Sequence, residues 1–385
     1  MQKKENQLSH VLLIYRKMIP SIRLCGHCQM EYLAKEGRIE YRAVQEMKLK
    51  TSDLNWADIV LLGRLDSWYE YQLTRKLREA GKTLIYIIDD DLLNIPSEIS
   101  SAAYYGQKEI QGYIRGMIEM SDAILSPSPL LLEKYAVNGR KALQIEEPAI
   151  DPVPYKPHDP DKPVKIGFAG SIDRTGDIEA ILRDALLSIK REYGDRVKFE
   201  FYGAIPSFAG ELNAHCIPYC DSYDKYRKTL NGLEWDIGLA PMPDTPFHAC
   251  KHYNKFVEYA AAGTVGIFSD MEPYTRLKRL KQACVFCGNS PQAWRGAIRI
   301  LIDQPQMRET MRSRVSELAH TEFTIEHSAT QLLEQIQALD RAHGEPVNRL
   351  TLPLGKLIYL ADRGTRAVQK IRNTALKGMK GALKR

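Results

Sequence analysis

The feature that most constrains this chain is a rhythm, in which short and almost wholly apolar runs alternate with stretches of helical periodicity. In the first half the apolar runs fall at 11–16 (VLLIYR), 39–44 (IEYRAV), 57–63 (ADIVLLG), 83–90 (TLIYIIDD), 122–128 (DAILSPS) and 142–148 (ALQIEEP). The second half repeats the pattern at 164–170 (VKIGFAG), 197–203 (VKFEFYG), 236–241 (DIGLAP), 264–270 (TVGIFSD) and 284–288 (CVFCG). Helical patterns, such as those over 68–80 and 107–119, lie between most of them. Strands that are apolar on both faces and separated by helices belong to parallel sheets covered on both sides.

A chain of 385 residues exceeds one ordinary core and suits two. Both halves open alike, with an apolar strand leading through a polar loop to a helix. Between them, residues 148–163 (PAIDPVPYKPHDPDKP) are dense in Pro and Asp and read as a linker. The expected architecture is α/β, with two Rossmann-like doubly wound domains at 1–150 and 164–345. A linker at 151–163 joins them across a central cleft, and a basic helical tail follows at 346–385. Ligands of such domains sit beyond the carboxyl ends of the strands, which directs attention to the loops at 16–26, 63–67, 89–97, 170–177, 203–210, 241–252 and 269–274.

The charge is unevenly spread. Residues 346–385 carry ten Lys/Arg against one acid, Asp362, a balance of +9 that leaves −3 to the rest of a chain whose total is +6. A mildly acidic body argues against nucleic acid as a partner and gives the tail a separate task. In the tail Leu354, Leu357, Ile358, Ala361, Val368, Ile371, Ala375 and Met379 recur at helical spacing among the cations. That pattern suits an anionic membrane surface, met through residues 350–385. The apolar run Val11 to Tyr15 is too short for a signal-peptide core, and no run reaches the roughly 18 residues of a membrane span. The expected location is cytoplasmic, peripheral on the inner face of the cell membrane. The seven cysteines include Cys25-Gly26-His27-Cys28, a thiol-oxidoreductase spelling, but nothing around it has a thioredoxin-type strand-to-helix turn. They are expected to be free thiols.

Residues 236–270 (DIGLAPMPDTPFHACKHYNKFVEYAAAGTVGIFSD) are the most informative. A strand ends at Pro241, and a helix is expected from about Lys251 to Ala262, stopped by Gly263. Lys251, Asn254, Lys255, Glu258 and Ala262 then share one stripe. The helix N-terminus faces the carboxyl end of a sheet, where backbone N–H groups and the dipole favour phosphate. Two lysines add charge there, and a carboxylate two turns in can accept from a ribose diol.

This stretch resembles the donor-binding helix of retaining GT-B glycosyltransferases, in which a Glu followed five residues later by a Gly holds the donor ribose; Glu258 and Gly263 have that spacing. The pattern is similar to that of bacterial members that build surface polysaccharides, with Asp244, Phe247, Lys251, Lys255, Glu258, Gly263, Ser269 and Tyr274 in place. Gly170-Ser171 with Asp177, the acid-rich strand end IYIIDDDLLNIP and the segment SPSPLL match as well, so the resemblance runs from about residue 57 to 340.

The resemblance implies transfer of a sugar from a nucleotide-sugar donor to a glycan or lipid-linked acceptor, with retention. The donor would be bound by Gly170, Ser171, Arg174, Lys251, Lys255 and Glu258. Arg23, His27 and Asp90 are the acceptor-side candidates. No catalytic residue is assigned; Asp244 and Lys251 are the candidates. Many relatives carry a second Glu eight residues before the ribose-binding one, where this chain has Cys250, and of the cations that usually follow the Gly turn only Arg174 is present. Asp89-Asp90-Asp91 could hold a divalent cation. In a two-domain enzyme, cations and a helix dipole serve the diphosphate instead, so no metal and no cofactor is expected. His248 and His252 lie in the same loops. Two other readings remain: a nucleotide-sugar epimerase of similar architecture, and a non-catalytic binding protein with a decayed site.

Overall fold

The structure, a computed structural model, describes residues 9–339. The tail and its reading as a membrane-binding helix lie outside the described residues.

The first sheet comprises β1 (His10–Tyr15), β2 (Glu40–Gln45), β3 (Ile59–Gly63), β4 (Thr83–Ile87), β5 (Ala123–Ser126) and β6 (Lys141–Gln144). The second comprises β7 (Val164–Gly170), β8 (Val197–Gly203), β9 (His215–Pro218), β10 (Ile237–Ala240), β11 (Val265–Ser269) and β12 (Cys284–Cys287). The strand orders are β2-β1-β3-β4-β5-β6 and β12-β11-β10-β7-β8-β9. Every pairing is parallel. The central strands are buried along most of their length, β3 and β4 at every position. That is the physical reason for unbroken apolar runs where an exposed sheet would alternate.

In each sheet the strand order reverses once, between β1 and β3 and between β7 and β10. At such a reversal the flanking crossovers leave to opposite faces, and a crevice opens beyond the strand ends. The second sheet therefore offers its crevice at Gly170 and Pro241.

Two elements differ from the sequence expectation. β9, a short edge strand with no buried residue, carries no apolar run. The helix expected from Lys251 to Ala262 is broken: a short helix spans Pro246–Ala249, residues 250–253 are not helical, and the main helix is Asn254–Ala261. The break has a packing cause. Cys250 is buried in an apolar cluster of the first domain with Leu92 and Tyr135, and His252 is buried as well, so both side chains are pulled off the helical path. The end at Gly263 is as expected. With φ +65° it closes a double bond pattern, the N–H of Thr264 reaching Tyr259 O at 2.9 Å and that of Gly263 reaching Ala260 O at 3.1 Å.

The helix Ile325–Gln337 lies within the stretch expected to belong to the second domain, yet it packs on the first. Ala329, Leu332, Leu333 and Ile336 share a cluster with Val11, Leu13, Ile59 and Leu61. The Gln335 amide caps the open edge of β6, accepting from Gln144 N at 2.8 Å and donating to Gln144 O at 2.8 Å. Leu332 is fully buried there. Leu332→Ala is expected to cost about 2–5 kcal/mol, read as a lower denaturant midpoint with circular dichroism.

Candidate functional site

Two adjoining recesses lie at the carboxyl ends of the second sheet. The larger, a cavity of about 250 Å³, is walled on the first-domain side by Ser21, Asp89 and Asp90. Gly170, Ser171, Arg174, Met242, Lys251, Lys255, Glu258 and Tyr274 wall it on the other side, and Glu147 and His252 form part of its lining. The smaller, of about 170 Å³, is lined by Tyr202, Tyr219, Tyr223 and Tyr226 with Asp221. Gly170, Ser171, Lys255 and Glu258 line both. One recess is thus rich in charge and the other in aromatic rings, and Glu258 stands at their junction.

Local chemistry explains the shape. Gly203 has φ +86°, and a Cβ there would stand 2.2 Å from Gly170 O. β7 and β8 can close on one another at these ends only because Gly203 carries no side chain. Glu258 is held by the Tyr226 hydroxyl, which donates at 2.8 Å, and by Lys255 Nζ at 2.5 Å. Arg174 is fixed by Asp177 at 3.1 Å and donates to Pro241 O at 2.5 Å. Lys251 Nζ lies over the Phe247 ring, 4.6 Å from its centroid, and reaches across the cleft to Asp90 Oδ1 at 2.6 Å.

The three consecutive aspartates diverge. Asp89 binds Arg64 at 2.8 Å, Asp90 faces Lys251, and Asp91 is buried against Lys134 at 2.5 Å and Asn94 at 2.9 Å. Burial would raise the Asp90 carboxyl, but Lys251 and Arg64 outweigh it and hold it below its ordinary range.

All six expected donor-binding residues line the larger recess. Of the acceptor-side candidates, Asp90 alone does. Arg23 instead bridges the domains through Asp224 at 3.0 Å. His27 is turned toward the β2 edge, bonded to the Tyr41 hydroxyl at 2.8 Å and 3.3 Å from Glu31. Asp244 is exposed and lines neither recess. His248 is pushed down to about 4 by burial and by Arg174 and Lys251, which leaves it neutral. All seven cysteines are free thiols.

The sequence reading missed the four tyrosines and Glu147. Three of the tyrosines lie in YCDSYDKY (219–226), a spacing that marks a lined pocket only once β9 is placed. Glu147, on the crossover between the domains, accepts from Cys25 Sγ at 2.9 Å and lies 3.6 Å from His252 Nδ1. Glu146 stands 3.8 Å from the other ring nitrogen.

Burial would depress the His252 imidazole, but Glu147 and Glu146 outweigh it and lift its pKa from 6.5 to about 9. A group raised in the folded state contributes stability that is complete below its unfolded value and lost as pH rises through its folded one. The unfolding midpoint is therefore expected to fall between pH 6.5 and about 9, with a flatter profile in His252→Gln. Parallel profiles for the two proteins would show that the imidazole is neutral.

No family model matches this chain, and no curated protein matches it in sequence. Solved structures do. Anabaena HepE in complex with UDP and glucose aligns with a TM-score of 0.58 at 10% identity, over 86% of this chain and 100% of that one. Sucrose-phosphate synthase from Thermosynechococcus elongatus aligns at 0.57 with 12% identity, over 86% and 98%. A glycosyltransferase from Rickettsia africae aligns at 0.56 with 13% identity, over 86% and 100%. At these identities the likeness is one of fold. The chain has the GT-B fold, two parallel six-stranded sheets flanked by helices. Among the described residues no helix is long and apolar enough to cross a membrane.

Proposed function

We propose that the protein is a retaining glycosyltransferase that moves a sugar from a nucleotide-sugar donor to a glycan or lipid-linked acceptor in cell-surface polysaccharide synthesis. The observation that carries this reading is the place of Glu258 at the junction of an aromatic recess and a charge-lined one that holds Arg174, Lys251 and Lys255. A nucleoside diphosphate sugar has that order of chemistry: a flat base, a diol, a dianionic bridge and a polar ring. The tyrosines would stack on the base, Glu258 would accept from the ribose hydroxyls, and Arg174, Lys251 and Lys255 would neutralise the diphosphate. Two relatives in fold, Anabaena HepE in complex with UDP and glucose and the Rickettsia africae glycosyltransferase, support the same class of substrate.

Transfer with retention needs no dedicated protein base. The bond from the anomeric carbon to the phosphate oxygen breaks, the acceptor oxygen bonds that carbon on the same face, and its proton passes to the departing phosphate. The cations favour this step by stabilising charge that grows as the bond breaks. Asp90 on the first domain is the group that would meet the acceptor. Cys250 is buried in the first domain's core, so the carboxylate that relatives carry at that position has no counterpart here, and the transferred sugar would be held by other groups of the cavity.

Glu258→Ala is expected to weaken nucleotide-sugar binding by about 1.5–3 kcal/mol, measured by calorimetry across a panel of donors, with the protein still folded. Unchanged affinity would remove Glu258 from the donor site. No divalent metal enters this reading, so EDTA is expected to leave transfer intact. Loss of activity with rescue by Mn²⁺ would bring Asp89 and Asp90 into a metal site instead.

The same reading sets the enzyme at the cytoplasmic face of a membrane through its basic residues 350–385, beside a lipid-linked acceptor. Each cation near an anionic surface contributes up to ~1 kcal/mol. The full chain is expected to sediment with anionic vesicles, and a chain ending at Pro346 to stay in solution. Equal behaviour of the two would end the membrane role.

A further inference from the structure

Each donor-binding cation already has a carboxylate partner. Lys255–Glu258 and Arg174–Asp177 pair residues three apart within the second domain. Lys251–Asp90 is different in kind, because it spans the cleft. Asp90 follows β4 of the first sheet, Lys251 precedes the helix Asn254–Ala261, and the two atoms are 2.6 Å apart. The two side chains are 24% and 26% exposed and line the same cavity, so a ligand entering it meets the pair directly. Lys251 sits on a flexible four-carbon stem and can turn. Asp90 has a second cation, Arg64, at 3.7 Å, itself anchored on Asp89 at 2.8 Å. If Lys251 leaves, Asp90 keeps a positive neighbour.

We infer that Lys251 is exchanged between Asp90 and the donor. In the empty protein it is held by Asp90; the diphosphate draws it away; Asp90, still backed by Arg64, is then open to accept a hydrogen bond from the acceptor hydroxyl. The inference rests on the nucleotide-sugar reading and adds an order of binding to it. The acceptor's carboxylate is masked until the donor has arrived, so donor binds first.

Asp90 and a diphosphate therefore compete for one ammonium, and removing the carboxylate's charge must help the nucleotide. UDP and GDP are titrated by calorimetry into the wild-type protein, Asp90→Asn, Lys251→Met and the double variant. Asp90→Asn is expected to bind the preferred nucleotide about two- to fivefold more tightly. The gain is expected to disappear in the Lys251→Met background, where there is no ammonium to release. Equal or weaker binding by Asp90→Asn, or the same gain without Lys251, overturns the exchange and leaves the nucleotide-sugar reading standing. Binding of neither nucleotide by the wild-type protein overturns both. A crystal structure with the nucleotide bound gives the second readout. Lys251 Nζ is expected within about 3 Å of a phosphate oxygen and away from Asp90; an intact pair beside a bound diphosphate overturns the inference.

Discussion

A parallel strand needs apolar cover on both faces, and much of this molecule follows from that need. It forces a crossover after every strand, puts a helix in nearly every crossover and sends all strand ends of a sheet to the same side. Loops gathered at one end are then free to carry polar chemistry without disturbing a core. The second sheet holds Gly170, Ser171, Arg174 and Met242 in place because β7 and β10, which end at or just before those residues, are paired neighbours in it. The site is a by-product of how the sheet must be closed.

The site is also assembled from charges that are already satisfied. A cleft lined by naked lysines and carboxylates would carry a heavy desolvation cost, since burying an unpaired charge costs far more than burying a pair. Here Lys251, Lys255 and Arg174 each rest on an acid, and the His252 ring lies between Glu146 and Glu147. A ligand that brings its own negative groups substitutes one set of partners for another. Binding then becomes a difference between similar contacts, which makes recognition depend on geometry as well as charge.

The sequence carried the frame of the molecule with fidelity where burial is total, since a strand covered on both faces leaves an apolar run that nothing else produces. It was silent at β9, a four-residue edge strand with no buried residue and no such run. The helix Asn254–Ala261 shows a second kind of limit. Its stripe from Lys251 to Ala262 is sound helical arithmetic, yet Cys250 and His252 are claimed by the first domain and by the crossover glutamates. Long-range contacts of that sort leave no local trace. That Glu258, Lys255 and the Gly170–Ser171 turn lie at strand carboxyl ends was legible, because each follows a buried strand in its own stretch of sequence. Glu147 and the tyrosine-lined recess were not, since each depends on segments far apart in sequence being brought together.

The return of the helix Ile325–Gln337 to the first domain has a consequence for synthesis. The face of the first sheet that carries Val11, Leu13, Ile59 and Leu61 is completed by Ala329, Leu332, Leu333 and Ile336. As the chain leaves the ribosome, Ile22, Cys25, Met30 and Leu33 can cover part of that flank, and the rest waits until the second domain has been made. The N-terminal half thus draws part of its core cover from the far end of the described chain. Its final closure waits on some of the last described residues to appear, and during that interval the uncovered flank is a surface that a chaperone can hold or that another unfinished chain can find.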